Sequence, residues 1–327
     1  MDIGRGRVRA HAVRAEVIVP RVMVGEVSLT GDLQGTMLLP DRPSGTGVVV
    51  LGGSSGRVDI NRARLFADAG ALVLALRWFG GEGQVPGICE VPLESFTPAT
   101  DRLVQAGCRT ILYVGTSKGA EAAALLGIQD HRIDVVVAVS PTSVVWANSG
   151  PGRDGLGLPL RSSWTLEGRP LPFVPYDVSR FPEPQDGRMP YRDYHDRSLE
   201  KYVDAIPAAI IPVERARATY ILVAGGDDQL WPSERFAAEM AERLAKAGKQ
   251  HFLLTNRQAG HRVLMPGETT PRSAMNVHGG TDQADRQLGQ EAWDVIRPLI
   301  GSRGGEWRDG SCDFAQQSGD LAPRHPN

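Results

Sequence analysis

The sequence predicts an α/β protein: a mostly parallel central sheet flanked by helices, with one cap insertion. Three observations carry this. Short apolar runs alternate with helical stretches from about residue 47 to 140. Those runs are continuous and rich in β-branched residues, as strands covered on both faces require. The alternation breaks at Pro141 and resumes only at Thr219.

The elements follow in order. Val48-Val49-Val50-Leu51 reads as a buried strand. Asp59 is suited to cap a helix running to Ala67 and ending near Gly70. A strand over 72–76, a helix around 93–106 and a strand over 110–114 come next. An alanine-rich helix starts at Ser117, and Val135-Val136-Val137-Ala138-Val139 is another strand. Strand–helix–strand repetition with short links means right-handed crossovers and parallel pairing. The segment 141–205 holds nine prolines and the aromatics Trp146, Trp164, Phe173, Tyr176, Phe181, Tyr191 and Tyr194. A structureless loop of that length is disfavoured inside a domain, so it is expected to pack over the sheet as the cap. A strand over 219–223, a helix over 233–247, a strand over 252–254 and a helix over 283–299 complete the domain, set at 16–301. Residues 1–15 and the glycine-rich 302–327 are expected to be flexible.

Composition narrows the function. The 327 residues are 41% hydrophobic and 23% charged, which is ordinary for a globular chain. A net charge of −2 argues against nucleic-acid binding. No apolar run approaches the roughly 20 residues that span a bilayer. Arg5, Arg7, Arg9 and Arg14 precede only Val17-Ile18-Val19, too short for a secretory core, so a cytoplasmic protein without a membrane is expected. Cys89, Cys108 and Cys312 form no metal pair or disulfide framework, and neither HExxH nor a phosphate loop occurs. Metal is therefore not expected.

Two segments match GxSxG after apolar strands: Gly52-Gly53-Ser54-Ser55-Gly56 and Gly115-Thr116-Ser117-Lys118-Gly119. A nucleophile elbow turns sharply from strand to helix, with serine at the turn. Only Ser117 is followed at once by helix formers, Ala120 to Leu125, so Ser117 is the candidate nucleophile. The Gly53-Ser54-Ser55 loop and the N–H of Lys118 are the candidate oxyanion donors. Lys118 is one of four lysines in an arginine-rich chain, a weak hint of local need. The chain order Ser…Asp…His then selects Asp228, preferred over Asp227, and His261, both just past predicted strands. His195, in the cap, is the second choice of base. Trp164, Trp231 and Trp78 are candidate walls of a substrate pocket.

These residues resemble the acyl-CoA thioester hydrolase / bile-acid-CoA:amino-acid N-acyltransferase C-terminal domain family of the α/β-hydrolase superfamily, close to dienelactone-hydrolase-like proteins. The resemblance runs from about Gly35 to Leu299. It rests on Ser117-Lys118-Gly119-Ala120-Glu121, Asp227-Asp228-Gln229-Leu230-Trp231-Pro232-Ser233, Ala259-Gly260-His261 and Gly279-Gly280-Thr281 through Trp293. It implies the α/β-hydrolase fold and catalytic positions at Ser117, Asp228 and His261. It also implies a small-molecule acyl substrate, with coenzyme A entering only as part of that substrate and no other cofactor. Larger members carry an N-terminal β-sandwich of about a hundred residues, which the stretch before Val48 is too short to hold. After His261 the chain reads Arg262-Val263-Leu264-Met265-Pro266, where relatives place an aromatic or isoleucine and Pro-Pro-Tyr. The expectation is thioester hydrolysis through an acyl-serine. Three alternatives stay open: a carboxylic ester or lactone substrate, acyl transfer to an amine or alcohol, and a non-catalytic binding protein on this scaffold. Oligomeric state is not legible.

Overall fold

A computed structural model describes residues 23–301. The chain opens with an antiparallel hairpin, β1 (Val24–Leu29) and β2 (Gln34–Pro40), then enters β3 (Thr46–Leu51). Next come α1 (Ile60–Asp68), β4 (Leu72–Arg77), a short β5 (Val91–Pro92), α2 (Thr97–Gln105), β6 (Thr110–Thr116), α3 (Lys118–Gln129) and β7 (Val135–Val139). The insertion contributes β8 (Trp164–Leu166), β9 (Arg169–Pro170), α4 (Arg192–Lys201) and the single turn α5 (Ile206–Ala209). β10 (Thr219–Gly225), α6 (Ser233–Lys246), β11 (His251–Asn256) and α7 (Asp282–Ile296) finish the domain.

Eight strands form one sheet in the order β1-β2-β4-β3-β6-β7-β10-β11. β2 is antiparallel to β1 and β4, and every other neighbouring pair is parallel. Alternating side chains of the central strands feed two cores. Val49, Leu51, Tyr113 and Leu222 pack on one face with Leu103 of α2, the alanines of α3 and Met240 of α6. Val48, Val50, Val114 and Val223 pack on the other with Phe66 of α1 and Leu288, Trp293 and Ile296 of α7. Phe66 and Trp293 meet edge to face at 5.3 Å, which joins the first and last helices. The Asp59 carboxylate accepts from the Arg62 N–H and so starts α1, as its side chain suggests.

The hairpin β1–β2 was not among the predicted strands. Its outer strand is mostly exposed, with Leu29 alone buried, so it lacks the continuous apolar run that marks the inner strands. The insertion shares a third core with the start of α6, in which Val144, Trp146, Val174, Leu199 and Ala209 pack with Trp231 and Phe236. It also carries a three-stranded patch, β5-β8-β9, that includes β5 from the sheet domain. The expectations for residues 1–15 and 302–327, and Cys312 with them, lie outside the described residues. Cys89 and Cys108 are buried free thiols. Among the described residues no helix is long and apolar enough to cross a membrane.

Candidate active site

The strand ends decide where the polar residues meet. Ser117 follows β6 and caps α3 with φ 57° and ψ −121°, a conformation that costs a non-glycine residue energy. The flanking glycines are demanded by crowding. A Cβ on Gly115 would lie 2.0 Å from the Gly119 carbonyl oxygen, and one on Gly119 would lie 2.3 Å from the Leu51 carbonyl oxygen. Strand β3, the turn and the start of α3 thus touch backbone to backbone, and the serine is held out at the sheet's rim. Its hydroxyl makes no cap bond to its own helix.

Asp228 lies just past β10 and His261 just past β11. The His261 Nδ1–H donates to the fully buried Asp228 Oδ2 at 2.7 Å. A carboxylate only accepts, so this bond puts the hydrogen on Nδ1 and presents the Nε2 lone pair. The other Asp228 oxygen accepts from the N–H groups of Leu230 at 2.8 Å and Trp231 at 3.2 Å. Asp227 is used elsewhere, accepting from the Gly280 N–H and the Gln229 amide. His261 is clamped through its backbone: its N–H donates to the His278 carbonyl, and its carbonyl accepts from Ser140 Oγ at 2.9 Å. Ser117 N–H donates to Val139, the residue before Ser140, so one short segment supports both side chains. No hydrogen bond from the Ser117 hydroxyl to His261 is present among the described residues; such bonds commonly tighten only with substrate bound.

The Gly53 loop lies against the elbow. A Cβ on Gly53 would be 3.2 Å from Ser117 Cβ, so the backbone there approaches the serine closely and a side chain would make its neighbours give by a few tenths of an ångström. Ser54 lines the same cavity as Ser117 and Lys118, whereas Ser55 is exposed and accepts from the Arg57 N–H.

Residues 91–294 match the family described as BAAT / Acyl-CoA thioester hydrolase C terminal. The chain belongs to this family. It is 25% identical over 311 residues to human acyl-coenzyme A thioesterase 1, covering 91% of this chain and 70% of that protein. Against human acyl-coenzyme A thioesterase 2, mitochondrial, it is also 25% identical, over 91% of this chain and 61% of that one. A putative dienelactone hydrolase from Klebsiella pneumoniae superposes with a TM-score of 0.51 at 12% identity, covering 86% of this chain and 99% of its own. The fold is that of an α/β-hydrolase, and the family is one of acyl-CoA thioester hydrolases and acyltransferases.

The Ser117-Lys118-Gly119-Ala120-Glu121 run has a visible purpose. Lys118 Nζ is buried and donates to Glu121 Oε2 at 2.6 Å and Ser163 Oγ at 2.8 Å. Glu121 Oε1 accepts from the Trp146 N–H and the Trp164 indole. The first turn of α3 therefore bolts the insertion to the elbow. Burial lowers the Lys118 pKa, against the pull of Glu121.

Trp231 lines the cavity at Ser117. Trp78 and Trp164 do not. Trp164 is enclosed and its indole is used by Glu121, and Trp78 stacks on it while donating to the Gly52 carbonyl. Both are core, because each indole N–H finds its partner inside. His195 does line the cavity, but its Nδ1–H donates to the Tyr191 carbonyl and burial pulls its pKa down to about 4. It has no carboxylate partner of the kind Asp228 gives His261.

Several supporting residues escaped the sequence. Arg62 of α1 donates to Glu268, to Thr116 Oγ1 and to the Val263 carbonyl. Asp285 of α7 accepts from the Gly260 N–H at 2.8 Å. Ser140, at φ 48°, holds His261 and accepts from the Trp231 indole through its carbonyl. A non-glycine residue forced to positive φ at a strand end was the available signal only after folding. Among the described residues no group of carboxylates, histidines and cysteines is placed to hold a metal ion.

Proposed function

We propose that the protein is a serine hydrolase that cleaves acyl thioesters through an acyl-serine. One observation carries this assignment: the His261–Asp228 bond at 2.7 Å stands past the ends of β10 and β11, at the same edge of the sheet as a serine held at φ 57° after β6. His261 Nε2 takes the Ser117 proton while Oγ bonds to the acyl carbon, and the carbonyl π electrons move onto oxygen. The N–H groups of Lys118 and of the Gly53-Ser54-Ser55 loop receive that oxyanion; one such donor is worth about 10²–10³ in rate. Asp228 keeps the imidazole in its tautomer and stabilises the charged ring. The tetrahedral species collapses, the C–S bond breaks, and the thiolate takes the Nε2 proton. Water then repeats the sequence on the acyl-serine, releasing the acid and restoring Ser117.

A serine ester is less reactive towards amines than the thioester a cysteine would form, which favours water as acceptor. Coenzyme A, or a thiol like it, is the leaving group and part of the substrate; the protein needs no further cofactor in this scheme. The test is thiol release from acyl-CoA by the wild type and Ser117→Ala, with fluorophosphonate labelling in parallel. Labelling of the wild type alone, together with thiol release, is expected. Turnover confined to p-nitrophenyl esters would move the substrate to carboxylic esters. A wild type that neither labels nor turns over either class would overturn the proposal.

A further inference from the structure

The walls of the cavity at Ser117 differ from what an alkyl chain would select. The cavity holds about 310 Å³, at the small end of the roughly 300–1,000 Å³ typical of ligand sites. Its apolar wall is a column of near-parallel rings from the insertion. Tyr176 stacks on the buried Trp146 at 5.4 Å and 9°, Tyr194 on Tyr176 at 5.4 Å and 22°, and Phe181 on Tyr194 at 5.8 Å and 21°. His195 presents its ring edge-on to Trp146, Tyr176 and Trp231. The one aliphatic lining residue is Leu230.

Resting on the thioesterase assignment above, we infer that the acyl group is planar and ring-bearing, of the arenecarbonyl or arylacetyl type with a polar ring substituent, and not a straight alkyl chain. Rings prefer offset-stacked or edge-to-face partners, and because the Tyr176 and Tyr194 faces are taken by their neighbours, their edges are left to meet the face of a ligand ring. Aromatic walls are stiff, so a flexible chain would lose its rotational freedom without a channel to follow, whereas a planar acyl group has little to lose. The lining also has polar members. Ser149 and Asn276 belong to it, and neither the Tyr176 nor the Tyr194 hydroxyl meets a hydrogen-bond partner among the described residues. Burial raises the pKa of both phenols, Tyr194 to about 12, so each remains a neutral donor for a substituent on the ligand ring.

The test separates acyl selection from coenzyme A recognition by using N-acetylcysteamine thioesters. Dissociation constants of Ser117→Ala for 4-hydroxyphenylacetyl and hexanoyl thioesters are compared, with turnover by the wild type measured on the same pair. Up to about tenfold tighter binding of the ring thioester is expected, the upper end of what one well-formed ring pair carries. Tyr194→Leu should erase the preference, and Phe181→Leu, at the exposed end of the column, should reduce it should the first variant fail to fold. Equal or tighter binding of the hexanoyl thioester would overturn the inference while labelling at Ser117 kept the hydrolase assignment. Tight ring binding without labelling or turnover would sustain the pocket and sink the chemistry.

Discussion

Arg62 and Glu268, 206 residues apart, form a buried two-armed ion pair, with Nε to Oε1 at 2.7 Å and Nη2 to Oε2 at 2.8 Å. The guanidinium also donates to Thr116 and to the Val263 carbonyl. Those two sites flank Ser117 and His261, so one side chain sets the spacing between the strand that carries the hydroxyl and the loop that carries the imidazole. Glu268 in turn accepts from the Met265 N–H, which fastens the same loop a second time.

Breaking one half of this pair leaves the other charge stranded in the core. Arg62→Leu is expected to lose about 3–5 kcal/mol of stability in urea unfolding. The double variant Arg62→Leu/Glu268→Leu should recover part of that loss, because no lone buried carboxylate remains. A single variant as stable as the wild type would show the pair to be idle.

The hydrogen-bonded carboxylate at His261 predicts a large effect from a small change. Asp228→Asn should lower kcat by about 10⁴-fold with the fold intact, because the amide can donate to Nδ1 and favour the wrong tautomer. Circular dichroism and the turnover assay check both halves. Asp227→Asn, which removes a charge one residue away, should leave the rate within about threefold, since Asp227 supports a loop amide and not the imidazole.

The bolt between α3 and the insertion is open to a similar test. Glu121→Ala removes the acceptor of both the Trp146 N–H and the Trp164 indole, and it leaves the buried Lys118 ammonium with Ser163 but without its carboxylate. A loss of about 3–5 kcal/mol is expected, with a red shift of tryptophan emission as the insertion loosens. Unshifted emission and unchanged stability would contradict the bolt.

His195 makes stability depend on pH. Its folded pKa, about 4, lies below the ordinary histidine value, with burial as the first cause. The folded ring stays neutral while the unfolded one gains a proton, so stability is complete above about pH 6.5 and declines as pH falls towards 4. The share of this one group is about 3 kcal/mol at most. His278, also lowered to about 4 by burial and by its neighbour His261, acts in the same direction. Urea unfolding at pH 7 and pH 4.5 should show the decline. His195→Phe should flatten its slope by nearly one proton.

The inner strands, and the Asp228–His261 pairing within the candidate site, were legible because each carries a local signature. Continuous valine runs mark strands covered on both faces, and a serine between glycines at the start of an alanine-rich helix marks an elbow. Asp228 and His261 are recognised by chain order and by standing just past strands. The hairpin β1–β2 was hidden because an edge strand exposed along most of its length has no such run. Arg62, Glu268 and Asp285 were hidden for another reason. Buried charges look like surface charges until the partner is known, and theirs are distant in the chain. Trp78 and Trp164 were misplaced because a tryptophan with an interior acceptor and one facing a ligand have the same neighbours in sequence.

The Glu121 anchorage also bears on how molecules come and go. A roof fastened from beneath by the same helix that begins at the reactive hydroxyl is no swinging door. Turnover should therefore be paced by bond making or by departure of the acid, with no slow closing motion ahead of it.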